Sequence, residues 1–366
     1  MRPTRILSPS RFAMCRSLFK HPARAMWNLA FMRHYTKLLE LELSGGQVVR
    51  LQRPYLSHWF WDHVLTPNSC AGLQDGQLRF RIGNTDFDLP VSDEAISTAT
   101  AVGQHLPSAT SVTWDEGLIR IAIADQRVVV RAGSMTDWYV ANEILVHDEY
   151  SLASLPSNLD TVVDCGANIG VFSACVGARA RRVVLLEPVA DNLRLARKNL
   201  ELAGATEKAG FEEAALGADS AGTLTLKVYK DAQGNNSALA DHKDRFGESE
   251  EIRVPTISIE DLFRKHDVDV CDLLKCDIEG GEYDAFENVP ESVLARIQRI
   301  RMEYHLFDSP DLLERFKNLR KRLEGSGFRV AATDPLTPDG KPSGVTYLAA
   351  TRIPDEALVM PTGQSL

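Results

Sequence analysis

Two groups of residues in this 366-residue chain have the types and spacing that chemistry requires. The first is Asp164-Cys165-Gly166-Ala167-Asn168-Ile169-Gly170, where an apolar run ends in a glycine-containing turn that opens a helix. Glycines let backbone approach a ligand, and a helix start offers free N–H groups to a carboxylate or phosphate. Glu187-Pro188 ends the next apolar run and sets a carboxylate where it would accept from both hydroxyls of a ribose. The second group is acidic: Asp277, Glu279 and Glu282, followed by Glu303 and His305. Asp277 and Glu279 alternate along a strand and share a face, as do Glu303 and His305. Histidine has the unperturbed pKa of a base that works near neutrality.

Each signal has a plainer reading. The first turn also serves an ordinary strand-to-helix junction, and an acidic strand end often caps the helix that follows. Glu282 at a helix start is satisfied by dipole pairing, and a lone histidine is more often structural. Carboxylates paired with Lys275 or Arg301 leave the same trace in sequence as a catalytic set. Asp277, Glu279, Glu303 and His305 would also suit a divalent cation, but the reading adopted assigns no metal. The dinucleotide fingerprint G-x-G-x-x-G is not matched, because Asp164 replaces its first glycine and Gly170 falls one residue late; a Walker lysine is missing too. A carboxylate there repels a pyrophosphate and suits a cationic amino group, such as that in the methionine part of S-adenosylmethionine.

The elements that must position these groups alternate between apolar strands and helices after Pro156. Strands are expected at Thr161–Cys165, Arg182–Glu187, Phe211–Leu216, Asp272–Asp277, Ile300–His305, Phe328–Ala332 and Val345–Thr351, with helices at about 168–179 and 191–202. The last two strands have no long helix between them, as an antiparallel closing pair would. The pattern predicts a doubly wound, mostly parallel seven-stranded α/β sheet with an antiparallel edge strand. Gly222–Tyr229 reads as an inserted strand, followed by a polar stretch in which Asn235, Asn236 and Ser237 either touch a ligand or form a turn.

These motifs together resemble the FkbM family of class I methyltransferases. The matching text is Asp164 to Gly170, Glu187-Pro188 with Asn192 and Asn199, Ala214-Ala215-Leu216-Gly217, Val254-Pro255-Thr256-Ile257, and Leu274-Lys275-Cys276-Asp277-Ile278-Glu279-Gly280-Gly281-Glu282. Arg131-Ala132-Gly133-Ser134 with Asp137, Glu143 and Tyr150 resembles the family's lead-in. Cys165 and Cys276 stand where small or aliphatic residues are usual, and Gly281 where alanine is usual. The resemblance covers roughly residues 112 to 352. It implies a Rossmann-like fold, S-adenosyl-L-methionine as cofactor, and O-methylation of a sugar, glycan or polyketide-like hydroxyl by in-line displacement. It places Asp164, Gly166, Asn168, Gly170, Glu187 and Ala215 at the cofactor, with His305, Asp277 and Glu303 as catalytic candidates. Two other readings stand beside it: a non-catalytic interaction module that keeps the cofactor fold, and a nicotinamide-dependent oxidoreductase.

Composition sets the remaining bounds. Hydrophobic residues at 44% supply a core, and a net charge of -9 argues against a general nucleic-acid binder. The six cysteines contain no CxxC pair and read as reduced core thiols. No apolar run approaches the roughly 18 residues of a membrane span, and no secretory signal is visible, so the expected compartment is the cytoplasm. Domains are expected at 1–110 (an accessory α+β region), 111–354 (the methyltransferase) and 355–366 (a tail). The first 39 residues hold eight Arg and Lys and no acid. They read as a solvated tail, as an organelle transit peptide, or as a basic amphipathic helix built on Phe12, Leu18, Phe19, Trp27 and Phe31 that rests on a membrane or protein partner.

Overall fold

The computed structural model describes residues 9–31, 39–51, 64–65, 70–220, 222–229 and 249–360. Asn235, Asn236 and Ser237 lie outside them, as do the first eight residues of the basic leader. The chain divides between Asn142 and Glu143 into two compact units.

In the first unit, helices α1 (Pro9–Leu18) and α2 (Pro22–Phe31) precede a ribbon of β1 (Leu39–Glu42) and β2 (Val48–Leu51). A meander follows of β3 (Cys70–Gln74), β4 (Gln77–Ile82) and β5 (Thr85–Pro90), then α3 (Asp93–His105). A second meander comprises β6 (Ser111–Asp115), β7 (Leu118–Ile123) and β8 (Gln126–Arg131), and α4 (Met135–Leu145) straddles the division. The alternation in β4 works as sequence implies: Leu78, Phe80 and Ile82 are buried, while Arg79 and Arg81 reach across to Asp88 and Asp86 of β5.

The strands after residue 110 fall within this unit, which ends at Asn142. One expectation is corrected here. The basic leader is not one amphipathic helix, because the chain breaks between α1 and α2, and Leu18 and Phe19 turn inward. The lead-in from Arg131 to Asp137 is a turn device. Both oxygens of buried Asp137 accept from the Arg131 guanidinium, and the Ser134 hydroxyl adds a contact at 2.9 Å.

The second unit is built on β9 (Leu159–Cys165), α5 (Val171–Gly177), β10 (Ala180–Leu186), α6 (Ala190–Leu202) and β11 (Ala209–Glu212). After an excursion come α7 (Ile259–Lys265), β15 (Leu273–Cys276), α8 (Glu282–Glu287), α9 (Glu291–Leu294), β16 (Arg299–His305), α10 (Pro310–Gly325), β17 (Arg329–Ala332) and β18 (Val345–Thr351). The sheet order is β11-β10-β9-β15-β16-β18-β17. The first five strands run parallel, and β18 is antiparallel to both of its neighbours. The expected antiparallel strand therefore lies one place in from the edge, held between β16 and β17. Strands sandwiched on both faces read as continuous apolar runs, which is why β9, β10 and β15 were visible in sequence. Helix α10 starts where Ser309 caps the Leu312 N–H and Pro310 presets the backbone; it buries Phe316, Leu319 and Leu323.

Three boundaries differ from expectation for local reasons. Helix α5 starts at Val171 and not at 168, because Asn168 and Gly170 take left-handed conformations with φ of 50° and 76°. The run expected as a strand at Phe211–Leu216 splits: β11 stays in the main sheet, while β12 (Ala215–Leu216) joins β13 (Thr223–Tyr229) and β14 (Ser249–Ile257) in a small separate sheet. The tail after 354 is not free through Met360, since Glu356 accepts from Arg299 at 2.7 Å and from Thr351 at 2.8 Å.

Candidate active site

The order of the sheet reverses direction between β9 and β15, and at such a switch point an open α/β sheet presents a crevice at its strand ends. Gly166 follows β9 there and has φ of 76°; a Cβ on it would sit 1.6 Å from the backbone oxygen of Asp277, just after β15. Only glycine allows these two strand ends to close on each other. Gly170, also at φ of 76°, is pressed against Ala196 of α6, where a Cβ would come within 2.8 Å of its Cα. Asn199 locks the turn from the same helix by donating to the Ile169 carbonyl at 2.7 Å.

Glu187, 5% exposed, ties this turn to the end of β10. Its Oε2 accepts from the Asn168 N–H at 2.9 Å, and its Oε1 from Val189 N–H at 3.1 Å and the Asn192 amide at 3.2 Å. Burial pushes its pKa up, against the pull of these donors. Three of its roughly four acceptor positions are thus used, which leaves Oε2 one for a ligand hydroxyl.

Asp164 takes a different place from the one expected. It is fully buried: Oδ2 accepts from Ser173 at 2.6 Å, and Oδ1 faces the Lys275 ammonium at 3.4 Å. It cannot meet a ligand's amino group, a correction that follows from strand alternation, which turns Asp164 inward beneath α5. Ala215 also stands apart from the turn, in the small sheet with its methyl packed on Leu226 and Val254.

Lys275 is the residue that sequence reading undervalued. Buried on β15 opposite Asp164, its Nζ donates to the Gly166 carbonyl at 2.7 Å, lies 3.6 Å from Asp277 Oδ2, and sits 5.3 Å from the centre of the Tyr150 ring. Burial pulls its pKa down, but Asp164 and Asp277 outweigh that and hold it above the ordinary lysine value. One cation thus joins the cofactor turn to the acidic group. A lysine within an apolar strand was the available signal.

The acidic group converges. The Tyr150 hydroxyl lies 2.9 Å from Asp277 Oδ2 and 3.4 Å from Glu303 Oε2. Burial, then the Asp277 charge, pushes Glu303 well above the usual carboxylate range. Glu282 is buried, and its Oε1 accepts from the N–H groups of Ile278 and Gly280 and meets His305 Nδ1 at 3.0 Å. His305 Nε2 lies 3.3 Å from Glu279 and 3.6 Å from Glu303. Burial lowers the imidazole's pKa, but Glu279 and Glu282 outweigh it and raise it well above the ordinary value. Glu279 is itself pushed up to about 8 by burial, against the pull of His305. With Glu282 at one ring nitrogen and Glu279 and Glu303 at the other, His305 stands where it positions the carboxylates around it. Asp277 and Glu279, with 23% and 21% of their side chains exposed, are the carboxylates of this group that reach open space. Asp277, Glu282 and His305 place one ligand atom each within 4.8 Å of one another, a spacing that suits a cation. Such an ion would have to displace the Glu282–His305 contact.

A doubly wound sheet with a glycine-built turn at its switch point, and acid at the adjoining strand ends, gives the second unit a Rossmann-like architecture. Residues 164–330 match the profile of the methyltransferase FkbM domain. The chain is 26% identical over 192 residues to "Methyltransferase sdnD" of Sordaria araneosa, a match covering 45% of this chain and 73% of that protein. It is also 26% identical over 276 residues to "AMB antimetabolite synthetase AmbE" of Pseudomonas aeruginosa, across 66% of this chain and 13% of that protein. Among solved structures, an O-methyltransferase from Bacillus cereus in complex with SAH aligns with a TM-score of 0.34 at 11% identity, covering 58% of this chain and 86% of that one. Among the described residues, no helix is long and apolar enough to cross a membrane.

Proposed function

We propose that the second unit is an S-adenosyl-L-methionine-dependent O-methyltransferase acting on a hydroxyl of a sugar, glycan or polyketide-like acceptor. The observation that carries this reading is the closure of Gly166 on Asp277, which sets a ligand-accepting turn beside a partly exposed carboxylate. The donor supplies a methyl group already activated by its sulfonium charge. The protein's part is to bind, align and remove one proton.

The fit of the cofactor rests on the turn. Side chains are excluded at Gly166 and Gly170, Asn168 is held open by Glu187, and Glu187 keeps one acceptor position for a ribose hydroxyl. With Asp164 committed to Lys275 and Ser173, Asp277 is the carboxylate next to the turn that remains accessible. Tyr150 occupies Asp277 Oδ2, so Oδ1 is the atom that accepts from an acceptor hydroxyl and takes its proton. His305 keeps Glu279, Glu282 and Glu303 in place around it.

Calorimetric titration of the full chain with S-adenosylmethionine and S-adenosylhomocysteine, with nicotinamide dinucleotides as controls, tests the cofactor. Micromolar binding of the sulfur nucleosides alone is expected, and nicotinamide binding in their place would replace this reading with an oxidoreductase. Asp277→Asn then tests the base: turnover should fall by roughly 10²-fold or more while homocysteine-nucleoside affinity stays within about twofold. An Asp277→Asn enzyme of full rate removes the assigned base.

A further inference from the structure

His305 commits one ring nitrogen and leaves the other turned to the cleft's carboxylates. Nδ1 meets Glu282 Oε1 at 3.0 Å, the same oxygen accepts from the Ile278 and Gly280 N–H groups, and the imidazole stacks on Phe307 with ring centres 5.3 Å apart. The residue is 4% exposed, yet among the described residues Nε2 makes no hydrogen bond. Oxygens of Glu279 and Glu303 stand 3.3 and 3.6 Å from it instead. A histidine fixed through one nitrogen by a carboxylate, with the other nitrogen facing further carboxylates, has the arrangement of a metal ligand. The spacings agree, since two atoms each about 2.1 Å from one divalent cation lie about 3.0 Å apart at a right angle and about 3.4 Å apart at a tetrahedral one. Charge points the same way. Among the described residues, Asp277, Glu279, Glu282 and Glu303 are met by two cations, Lys275 and His305, and Lys275 is shared with Asp164. Glu149, which burial pushes up to about 7 against the bond from the Tyr347 hydroxyl, adds a further acid toward Glu303. Buried carboxylates in excess of cations are costly until protons or another cation offset them.

We propose that Nε2 of His305 and the carboxylates of Glu279 and Glu303 bind a divalent cation of the Mn²⁺ and Mg²⁺ class, with Glu282 holding the imidazole from behind. Two carboxylates and one imidazole suit such ions better than soft ones. On the Nε2 side the ion leaves the Glu282–His305 contact intact, and the partial exposure of Glu279 and Asp277 gives it a way in. One oxygen of Asp277 lies within 4.8 Å of a ring nitrogen of His305, so the ion stands beside the proposed base. Its role rests on the methyltransferase reading. An acceptor hydroxyl on an open position of the ion gives its proton to Asp277 more readily, and the resulting alkoxide takes the methyl group from the sulfonium, which leaves as a neutral thioether.

The full chain is titrated with Mn²⁺ alone, with and without S-adenosylhomocysteine, and followed by electron paramagnetic resonance and water-proton relaxation. One ion per chain should bind with a Kd in roughly the micromolar to sub-millimolar range and be displaced by Mg²⁺. Spin-echo spectra should show a directly bound imidazole nitrogen that disappears in His305→Asn. Enhanced relaxation should reveal an exchanging water on the ion, in the position an acceptor oxygen takes. Glu279→Gln should raise the Mn²⁺ Kd by roughly tenfold or more while homocysteine-nucleoside affinity stays within about twofold, which also shows that the variant is folded. Should Glu279→Gln not fold, Glu303→Gln serves the same comparison. Absence of saturable Mn²⁺ binding, a missing nitrogen signal or one that survives His305→Asn, or unchanged affinity in the carboxylate variant overturns the proposal. A bound ion without exchanging water overturns its role toward the acceptor. Nucleoside binding without Mn²⁺ binding rejects only the cation site. Mn²⁺ binding without nucleoside binding keeps the site and rejects the methyltransferase reading, and wild-type protein that binds neither rejects both.

Discussion

Replacing Lys275 with methionine keeps the length of the side chain and removes its charge from a fully enclosed place. Three contacts go with it: the 2.7 Å bond to the Gly166 carbonyl, the 3.4 Å pairing with Asp164 and the 3.6 Å approach to Asp277. Asp164 Oδ1 has no hydrogen-bond partner, so losing the ammonium leaves a bare carboxylate oxygen in the interior. Breaking a buried pair from one side costs about 3–5 kcal/mol, and an orphaned carbonyl adds about 1 kcal/mol or more. Asp164 can take up a proton, which keeps the total near about 4 kcal/mol. Adding Asp164→Asn should recover about 2 kcal/mol, because the neutral amide no longer needs a cation. Urea unfolding followed by the release of S-adenosylhomocysteine reads the second unit. An internal control is available, since all five tryptophans (Trp27, Trp59, Trp61, Trp114 and Trp138) lie in the first unit. Their fluorescence transition reports that unit separately. A Lys275→Met chain destabilised by less than about 1 kcal/mol, or a double variant no better than the single one, refutes the argument that this cation holds the cleft together.

Other outcomes follow from the same contacts. Gly166→Ala should abolish homocysteine-nucleoside binding and cost more than about 4 kcal/mol, since its Cβ would collide with the Asp277 backbone; normal binding by calorimetry would show that the strand ends separate easily. Glu187→Ala should raise the nucleoside's Kd by roughly tenfold or more by freeing the Asn168 N–H, and an unchanged Kd removes Glu187 from the cofactor site. His305→Asn should lower turnover with little change in cofactor affinity; full activity would remove its positioning role. Glu149 binds more protons folded than unfolded between its ordinary value and about 7, so it lowers stability as pH rises through that window. Glu149→Gln should therefore be more stable than wild type at pH 8, by on the order of 1–3 kcal/mol, with the difference gone near pH 4; a constant difference across pH contradicts the assignment.

The main sheet was legible because its strands are buried on both faces, and a continuous apolar run such as Val183–Leu186 cannot be mistaken for surface. The turn was legible because glycines at 166 and 170 have steric reasons that survive in the letters. The inward turn of Asp164 was harder to read. Alternation places it opposite Cys165, but which face carries the cleft depends on the helices laid over the sheet. The setting of His305 was hidden for a similar reason, since Glu279, Glu282 and Glu303 surround it only after β16 and the α8 turn have met. The division after Asn142 is not legible in the letters, because the β6–β8 meander has the period of any antiparallel ribbon. Its letters do not state whether it joins β5 or the sheet that follows.

The place of β18 also governs how this unit is made. Among the described residues β17 pairs only with β18, and β16 has one open flank until β18 fills it. During synthesis the first five strands can associate as they emerge, but the flank of β16 that carries Arg301 and Glu303 stays unsatisfied until residues 345–351 have left the ribosome. The sheet is therefore completed only when residues 345–351 have emerged, and a nascent chain halted after β17 presents an exposed strand edge ready to pair with another copy.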